Sequence, residues 1–254
     1  MLNIEHWSIT KMGLKHTKNE DSSFNENKMS LFNTALFLIC DGVGGYAGGD
    51  IASQKIISMF KQRYRFIGGT TQNVEEFIKN TIDAVNKEII DFSQQGLDYP
   101  RLSSTLVGLI MINDIYHAFS VGDSRIYLRD KIGFRQINED DSKVWERYKL
   151  GLINKSEIIK QVDKNKITAA VGFSENIYPH YYTGRVNDYF QFILCSDGLT
   201  DFVTEGDIEK YLSEDQSIRE KCVGLANRAL KNGSDDDITI TIIEGDRNKI
   251  RWSQ

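Results

Sequence analysis

Residues 36–50, LFLICDGVGGYAGGD, restrict the fold more than any other stretch. An apolar run from Leu36 to Cys40 meets Asp41, and five of the eight residues that follow are glycine. A short apolar run closed by a turn signal reads as a buried strand. Asp41 then stands at a strand end, and the bare backbone after it presents carbonyl and N–H groups to a small charged object.

The pattern recurs along the chain. FQFILCSDGLTD ends a second apolar strand at Asp197 and Gly198, with Asp201 just beyond. VGDSR sets Asp123 after the run Ile115–Val121, and GSDDDITITII sets Asp235, Asp236 and Asp237 before a β-branched strand. Asn19, Glu20 and Asp21 follow a strand-like N-terminal segment. If these strands share a sheet edge, their acids converge with Arg125 as the one interleaved cation. Carboxylates so crowded call for a hard cation, and oxygen-only ligation suits Mg²⁺ or Mn²⁺.

Periodicity predicts strands over Ile4–Met12 and Met29–Cys40, then a helix from a capping Asp50 to Arg65. Gly68–Thr70 breaks it, and a second helix, Val74–Gln94, has an apolar face running from Val74 to Phe92. After a loop at Gly96–Pro100, Thr105–Ile112, Ile115–Val121 and Arg125–Arg129 read as an antiparallel meander. Ser142–Ala170 reads as helical and polar. Strands follow at Pro179–Gly184, Tyr189–Cys195 and Ile238–Ile243, with helix starts at Thr204 and at the capping-box sequence from Ser217. With no repeat or linker and two prolines, the chain reads as one domain, residues 1–254, of α+β class.

A net charge of −5 argues against nucleic acid as a partner, which wants a basic face. No apolar run approaches the roughly 18 residues of a spanning helix, and residues 1–10 lack a secretory pattern. Cys40, Cys195 and Cys222 are odd in number and form no CxxC, so they read as reduced, buried thiols of a cytoplasmic protein.

Taken in order, GLKHTKNED, DGVGGYAGGDIAS, SSTLVG, VGDSRIYLRD, KITAAVG, ILCSDGLTD and SDDDIT resemble the motifs of the protein phosphatase 2C-like (PPM) metal-dependent serine/threonine phosphatases of bacterial type, over Gly13 to Thr239. The resemblance implies a central antiparallel β-sandwich flanked on both sides by helix pairs, with a helical flap at 142–168 and a metal site at one end. It implies hydrolysis of phosphoserine and phosphothreonine by a water bridging two Mn²⁺ or Mg²⁺ ions. The partners implied are phosphoproteins made by a cognate kinase in signal transduction; the protein would act as a monomer, with no nucleic acid or membrane.

By that resemblance Asp41 is the shared ligand, Asp197 and Asp236 complete the first ion, and the Gly42 carbonyl serves the second. Glu20 and Asp21 match an acidic pair that ligates the second ion or its waters. Asp123 with Asp197, assisted by Asp201, matches a third, weaker site. The chain departs from the family at His16, which stands where an arginine holds the substrate phosphate, with Lys15 and Lys18 as the alternatives. It departs again at Val43, where eukaryotic members carry a histidine, and at Asp237, where the pattern has asparagine. Asp237 either tightens ion binding or is solvated.

Two other readings compete. A catalytically weak regulatory or binding relative is motivated by His16. A nucleotide-binding fold is suggested by Gly42, Gly44 and Ala47 in GxGxxA spacing, but it requires a parallel strand after the first helix, where the sequence offers Gly68, Gly69 and another helix.

Overall fold

The computed structural model describes residues 3–28, 33–43, 48–65, 73–95 and 102–246. The expected breaks at Gly68–Thr70 and Gly96–Pro100, the first residues of the strand predicted from Met29, and the glycine loop at 44–47 lie outside them.

Two five-stranded antiparallel sheets form the centre. One has the order β1 (Ile4–Lys11), β12 (Ile238–Asp246), β11 (Tyr189–Cys195), β8 (Arg125–Asp130), β9 (Gly133–Gln136). The other runs β10 (His180–Arg185), β7 (Ile115–Val121), β6 (Leu106–Ile112), β3 (Thr34–Cys40), β2 (Ser22–Lys28). A two-stranded ladder joins β4 (Gly42–Val43) to β5 (Ser103–Ser104).

The unbroken apolar strands are explained by cover on both faces, since successive side chains point opposite ways. In β3, Ala35, Phe37 and Ile39 meet the other sheet, where Phe190, Phe192 and Leu194 of β11 face them. Leu36, Leu38 and Cys40 turn outward onto α1 (Gly49–Tyr64) and α2 (Val74–Gln95). Ile193 and Cys195 of β11, with Ile238, Ile240 and Ile242 of β12, meet α5 (Glu205–Ser213) and α6 (Ile218–Lys231). The result is the expected sandwich between helix pairs. At roughly 1.5–3 kcal/mol per buried large apolar side chain, this core offsets a cluster of repelling acids at its end.

Four local expectations change. The meander stops after β7: β8 pairs with β11 and β9 in the opposite sheet, so Gly122–Ser124 is a crossing between sheets. Gly122 turns the chain there with φ 101°, a conformation open to glycine. Gly48, not Asp50, holds the N-cap position of α1, and Asp50 lies in the first turn, ion-paired with Lys18. The 142–168 stretch is helical only at α3 (Lys143–Lys149) and a 3-10 turn at Lys155–Lys160. Phe92 stands half out of the α2 interface beneath the Lys55 ammonium, 4.8 Å from its ring. The capping box at Ser217 and Glu220 is present as read. Cys40, Cys195 and Cys222 are buried free thiols.

Candidate metal centre and active site

Strand register gathers the acidic loops. Lys11 lies opposite Ile238, Cys195 opposite both Ile240 and Arg125, Ser22 opposite Cys40, and Leu106 opposite Val121. The segments carrying Glu20 and Asp21, Asp41, Asp123, Asp197, and Asp236 and Asp237 therefore all leave the same end of the sandwich.

The backbone of Asp41 is held from both sides. Its N–H donates to Thr105 Oγ1 at 3.1 Å, and its carbonyl accepts the Thr105 N–H at 2.8 Å and the Ser104 hydroxyl at 2.8 Å. Thr105 Oγ1 lies 2.7 Å from Ser124 Oγ, which ties this strand end to the sheet crossing beside Asp123. Asp197 opens the short helix α4 (Asp197–Thr200) directly after β11.

Burial raises the Asp41 carboxyl well above the usual carboxylate range, and Asp21, Asp197, Asp236 and Asp123 push it further. Asp197 is raised in the same way, by burial first and then by Asp123, Asp236, Asp201 and Asp21. Burial and the charges of Asp237 and Asp236 lift Asp21 to about 7 against the pull of the Ser196 and Thr239 hydroxyls. Asp236 is also raised, chiefly by burial. Among the described residues none of Asp41, Asp197 and Asp236 pairs with a lysine or arginine, and Oδ1 of Asp21 and Oδ1 of Asp197 are buried without a hydrogen-bond partner. Crowded, unneutralised oxygens of this kind fit a hard divalent cation.

Glu20 and Gly42 meet around one glycine. A Cβ on Gly49 would lie 2.7 Å from Glu20 Oε2 and 2.8 Å from the Gly42 carbonyl oxygen, so both oxygens border the same bare Cα. The Glu20 carboxylate also accepts the Gly49 N–H at the start of α1, while burial keeps its pKa raised. Asp21 sits behind, accepting the Ser196 hydroxyl at 2.9 Å.

Asp123 is buried and lifted to about 7, by burial first and then by Asp140, with Arg125 opposing and Asp201 adding to it. It is not a hairpin-turn residue, since β7 and β8 belong to different sheets. Asp201 is ion-paired with Lys164, whose ammonium also lies 5.3 Å from the Phe202 ring. A cleft of about 350 Å³ between the 3-10 turn at Lys155–Lys160 and α5 is lined by Arg125, Lys155, Ile158, Asp201, Thr204 and Glu205.

His16 stands between two acids: Nδ1 lies 3.0 Å from Asp237 Oδ2, out of line for a hydrogen bond, and Nε2 lies 3.7 Å from Asp236 Oδ1. Pairing with Asp237 holds its pKa above the ordinary histidine value, against desolvation. The lysines beside it are engaged, Lys15 with Asp235 and Lys18 with Asp50. Asp237 is not solvated. It is 2% exposed and accepts the Gly13 N–H and the Glu20 N–H, each at 2.7 Å. Among the described residues, one set of three metal-ligating side chains has its donor atoms within 4.8 Å of one another, and it is His16, Asp236 and Asp237. Asp41 and Asp197 stand in a wider arrangement.

Sequence reasoning gave no role to Ser104, Thr105, Ser124 or Ser196, which fix the acids through backbone and hydroxyl contacts. The SST triplet was visible, but only tertiary structure shows where its hydroxyls go.

A family model described as protein phosphatase 2C matches residues 15–232. The serine/threonine phosphatase stp of Listeria monocytogenes is 30% identical over 235 residues, covering 92% of each chain. The structure of serine/threonine phosphatase Stp1 from Staphylococcus aureus superposes with a TM-score of 0.86 at 29% identity, covering 96% of this chain and 94% of that one. The catalytic domain of the phosphatase PstP, solved in complex with two manganese ions, shares the fold with a TM-score of 0.84 at 24% identity, over 97% of this chain and 100% of that one. With the acids at one end of a helix-flanked sandwich and the match running nearly end to end, the chain belongs to the protein phosphatase 2C family of serine/threonine phosphatases.

Proposed function

We propose that this single domain hydrolyses phosphoserine and phosphothreonine in proteins, using two Mn²⁺ or Mg²⁺ ions held by its carboxylates. The observation that carries this reading is the convergence of Asp41, Asp197, Asp236 and Asp21 at one sheet end, with buried oxygens lacking partners and pKa values raised by burial and then by mutual repulsion. The two manganese ions of the PstP catalytic domain agree with it.

Asp41 would be the carboxylate shared by both ions, with Asp197 and Asp236 completing the first. The Gly42 carbonyl and Glu20 would serve the second, supported by their common border on Gly49. Asp21 would orient water from behind. Asp123 with Asp197 would hold a third, weaker ion, with Asp201, now paired with Lys164, assisting. When bound, the paired ions supply a nucleophilic water at neutral pH and neutralise the phosphoryl oxygens.

The protein's own groups position the ester. His16, whose pKa is raised by Asp237, contacts the phosphate in place of arginine; Lys15 and Lys18 are committed to acids. Val43 has no proton to give, so the leaving serine oxygen takes its proton from solvent. The flap at 142–168 borders the cleft beside Asp201. Substrates are phosphoproteins made by a cognate serine/threonine kinase, and the enzyme works as a cytoplasmic monomer. No helix among the described residues is long and apolar enough to cross a membrane.

A catalytically weak regulatory relative is the second reading, favoured by the engagement of His16 with acids. Titrating Mn²⁺ into phosphopeptide hydrolysis separates the two. Activity absent in EDTA, restored by Mn²⁺ and lost in Asp41→Asn supports the enzyme; a rate indifferent to Mn²⁺ and to that substitution overturns it.

A further inference from the structure

The His16 imidazole brings a nitrogen donor to a place where the family's arginine offers none, and the structure sets it between two carboxylates. We propose that His16, Asp236 and Asp237 form a binding site for a borderline divalent ion, Zn²⁺, with Asp236 shared with the neighbouring oxygen ligands.

Three observations carry it. First, one donor atom from each of the three side chains lies within 4.8 Å of the others. The 3.0 Å between Nδ1 and Asp237 Oδ2 is close to the roughly 3.3–3.6 Å that zinc bonds of about 2.0–2.2 Å set between tetrahedral donors, and an ion on that nitrogen would draw in the Asp236 carboxylate. Second, Nδ1 of His16 is shielded from solvent, and its 3.0 Å approach to Asp237 Oδ2 is out of line for a hydrogen bond, so zinc can take the place of a proton there without breaking one. Third, the carboxylates already have outer partners, as ligating carboxylates do. Asp237 accepts the N–H groups of Gly13 and Glu20, and Asp236 Oδ1 accepts the Asp237 N–H at 2.8 Å.

The loop bearing His16 is fixed as well: Lys15 N–H donates to the Asp235 carbonyl at 3.3 Å and His16 N–H to the Gly13 carbonyl at 3.2 Å. One imidazole with two carboxylates selects Zn²⁺ over Mg²⁺, which prefers oxygen alone. Three protein donors leave a fourth position for water. The site does not depend on the proposed hydrolysis, because its test reads metal binding.

The full-length protein in saturating Mg²⁺ is titrated with Zn²⁺ against a chromophoric chelator, alongside His16→Arg and His16→Gln, with thermal melts confirming that both variants fold. The wild type is expected to take up one Zn²⁺ that both variants bind more weakly by about tenfold or more. Co²⁺ in place of Zn²⁺ should give a visible tetrahedral spectrum that His16→Gln loses. Equal Zn²⁺ affinity in all three proteins, or a Co²⁺ spectrum unchanged by His16→Gln, overturns the proposal and places any bound zinc among the oxygen ligands alone.

Discussion

The Gly13 N–H donates to Oδ1 of Asp237 across 2.7 Å, although 224 residues separate them in sequence. With the Glu20 N–H on the other oxygen, Asp237 is the peg on which the loop between β1 and β2 hangs. Asp237→Ala leaves two donors without an acceptor, each costing about 1–3 kcal/mol when shielded from water. Chemical denaturation in EDTA should show a loss of roughly 3 kcal/mol; a loss below about 0.5 kcal/mol would mean that the loop holds itself.

Asp197 should behave in the opposite sense. Its carboxylate is raised by burial and by neighbouring acids, so its charge opposes folding when no cation is bound. Asp197→Asn is therefore expected to raise the melting temperature in EDTA by a few degrees, about 2–4 °C per kcal/mol in a chain of this size. It should also abolish turnover and remove the stabilisation by Mn²⁺. Wild-type turnover in this variant would be incompatible with the assignment.

Gly49 is kept bare by its neighbours. A methyl group there meets Glu20 Oε2 and the Gly42 carbonyl oxygen at under 3 Å. Calorimetry of Gly49→Ala should show one Mn²⁺ weakened while the other keeps its affinity. Two unaltered ions would remove Glu20 and Gly42 from the ligand set.

His16 gives a pH signature. Asp237 holds its pKa above the ordinary value, so the ring stays charged to a higher pH than a free histidine, and phosphate affinity weakens as pH rises through that value. His16→Arg should flatten the dependence of KM on pH and lower KM at pH 8, by up to tenfold if about 1.4 kcal/mol is gained. Identical KM profiles for wild type, His16→Arg and His16→Ala would make His16 a bystander.

A second histidine links pH to stability. His180 Nε2 meets Asp141 Oδ1 at 2.8 Å, and Asp141 Oδ2 accepts the Gly122 N–H at the sheet crossing. The Asp141 hydrogen bond raises the His180 pKa. A raised histidine stabilises fully below its unfolded value of about 6.5 and stops doing so as pH climbs through the folded value. The gap in melting temperature between wild type and His180→Gln should therefore shrink from pH 5.5 to pH 9. A constant gap would indicate a contact of packing alone.

Much of this was legible because a strand that is apolar throughout must be covered on both faces, which is what Leu36–Cys40 and Phe190–Cys195 report. Asp41, Asp197 and Asp236 were legible as the charges on which such runs begin or end. The edge strand Ser22–Lys28, SSFNENK, was not, because an edge needs few apolar residues and Phe24 alone packs on the core. Nor was the parting of β7 from β8: alternation marks a strand but not the sheet it joins. Lys15 and Lys18 are visible in sequence as charge beside His16, but sequence does not show that Asp235 and Asp50 already hold that charge.

The crossings between sheets carry one last consequence. β1 and β2 belong to opposite sheets, as do β7 and β8, and both connections pass through the acidic end. The acids thus come together only after the two halves have docked, through contacts as distant in sequence as Gly13 and Asp237. Such non-local closure is the slow part of folding. A half-docked chain would have strands but no gathered acids, because the acidic end is made by both sheets together.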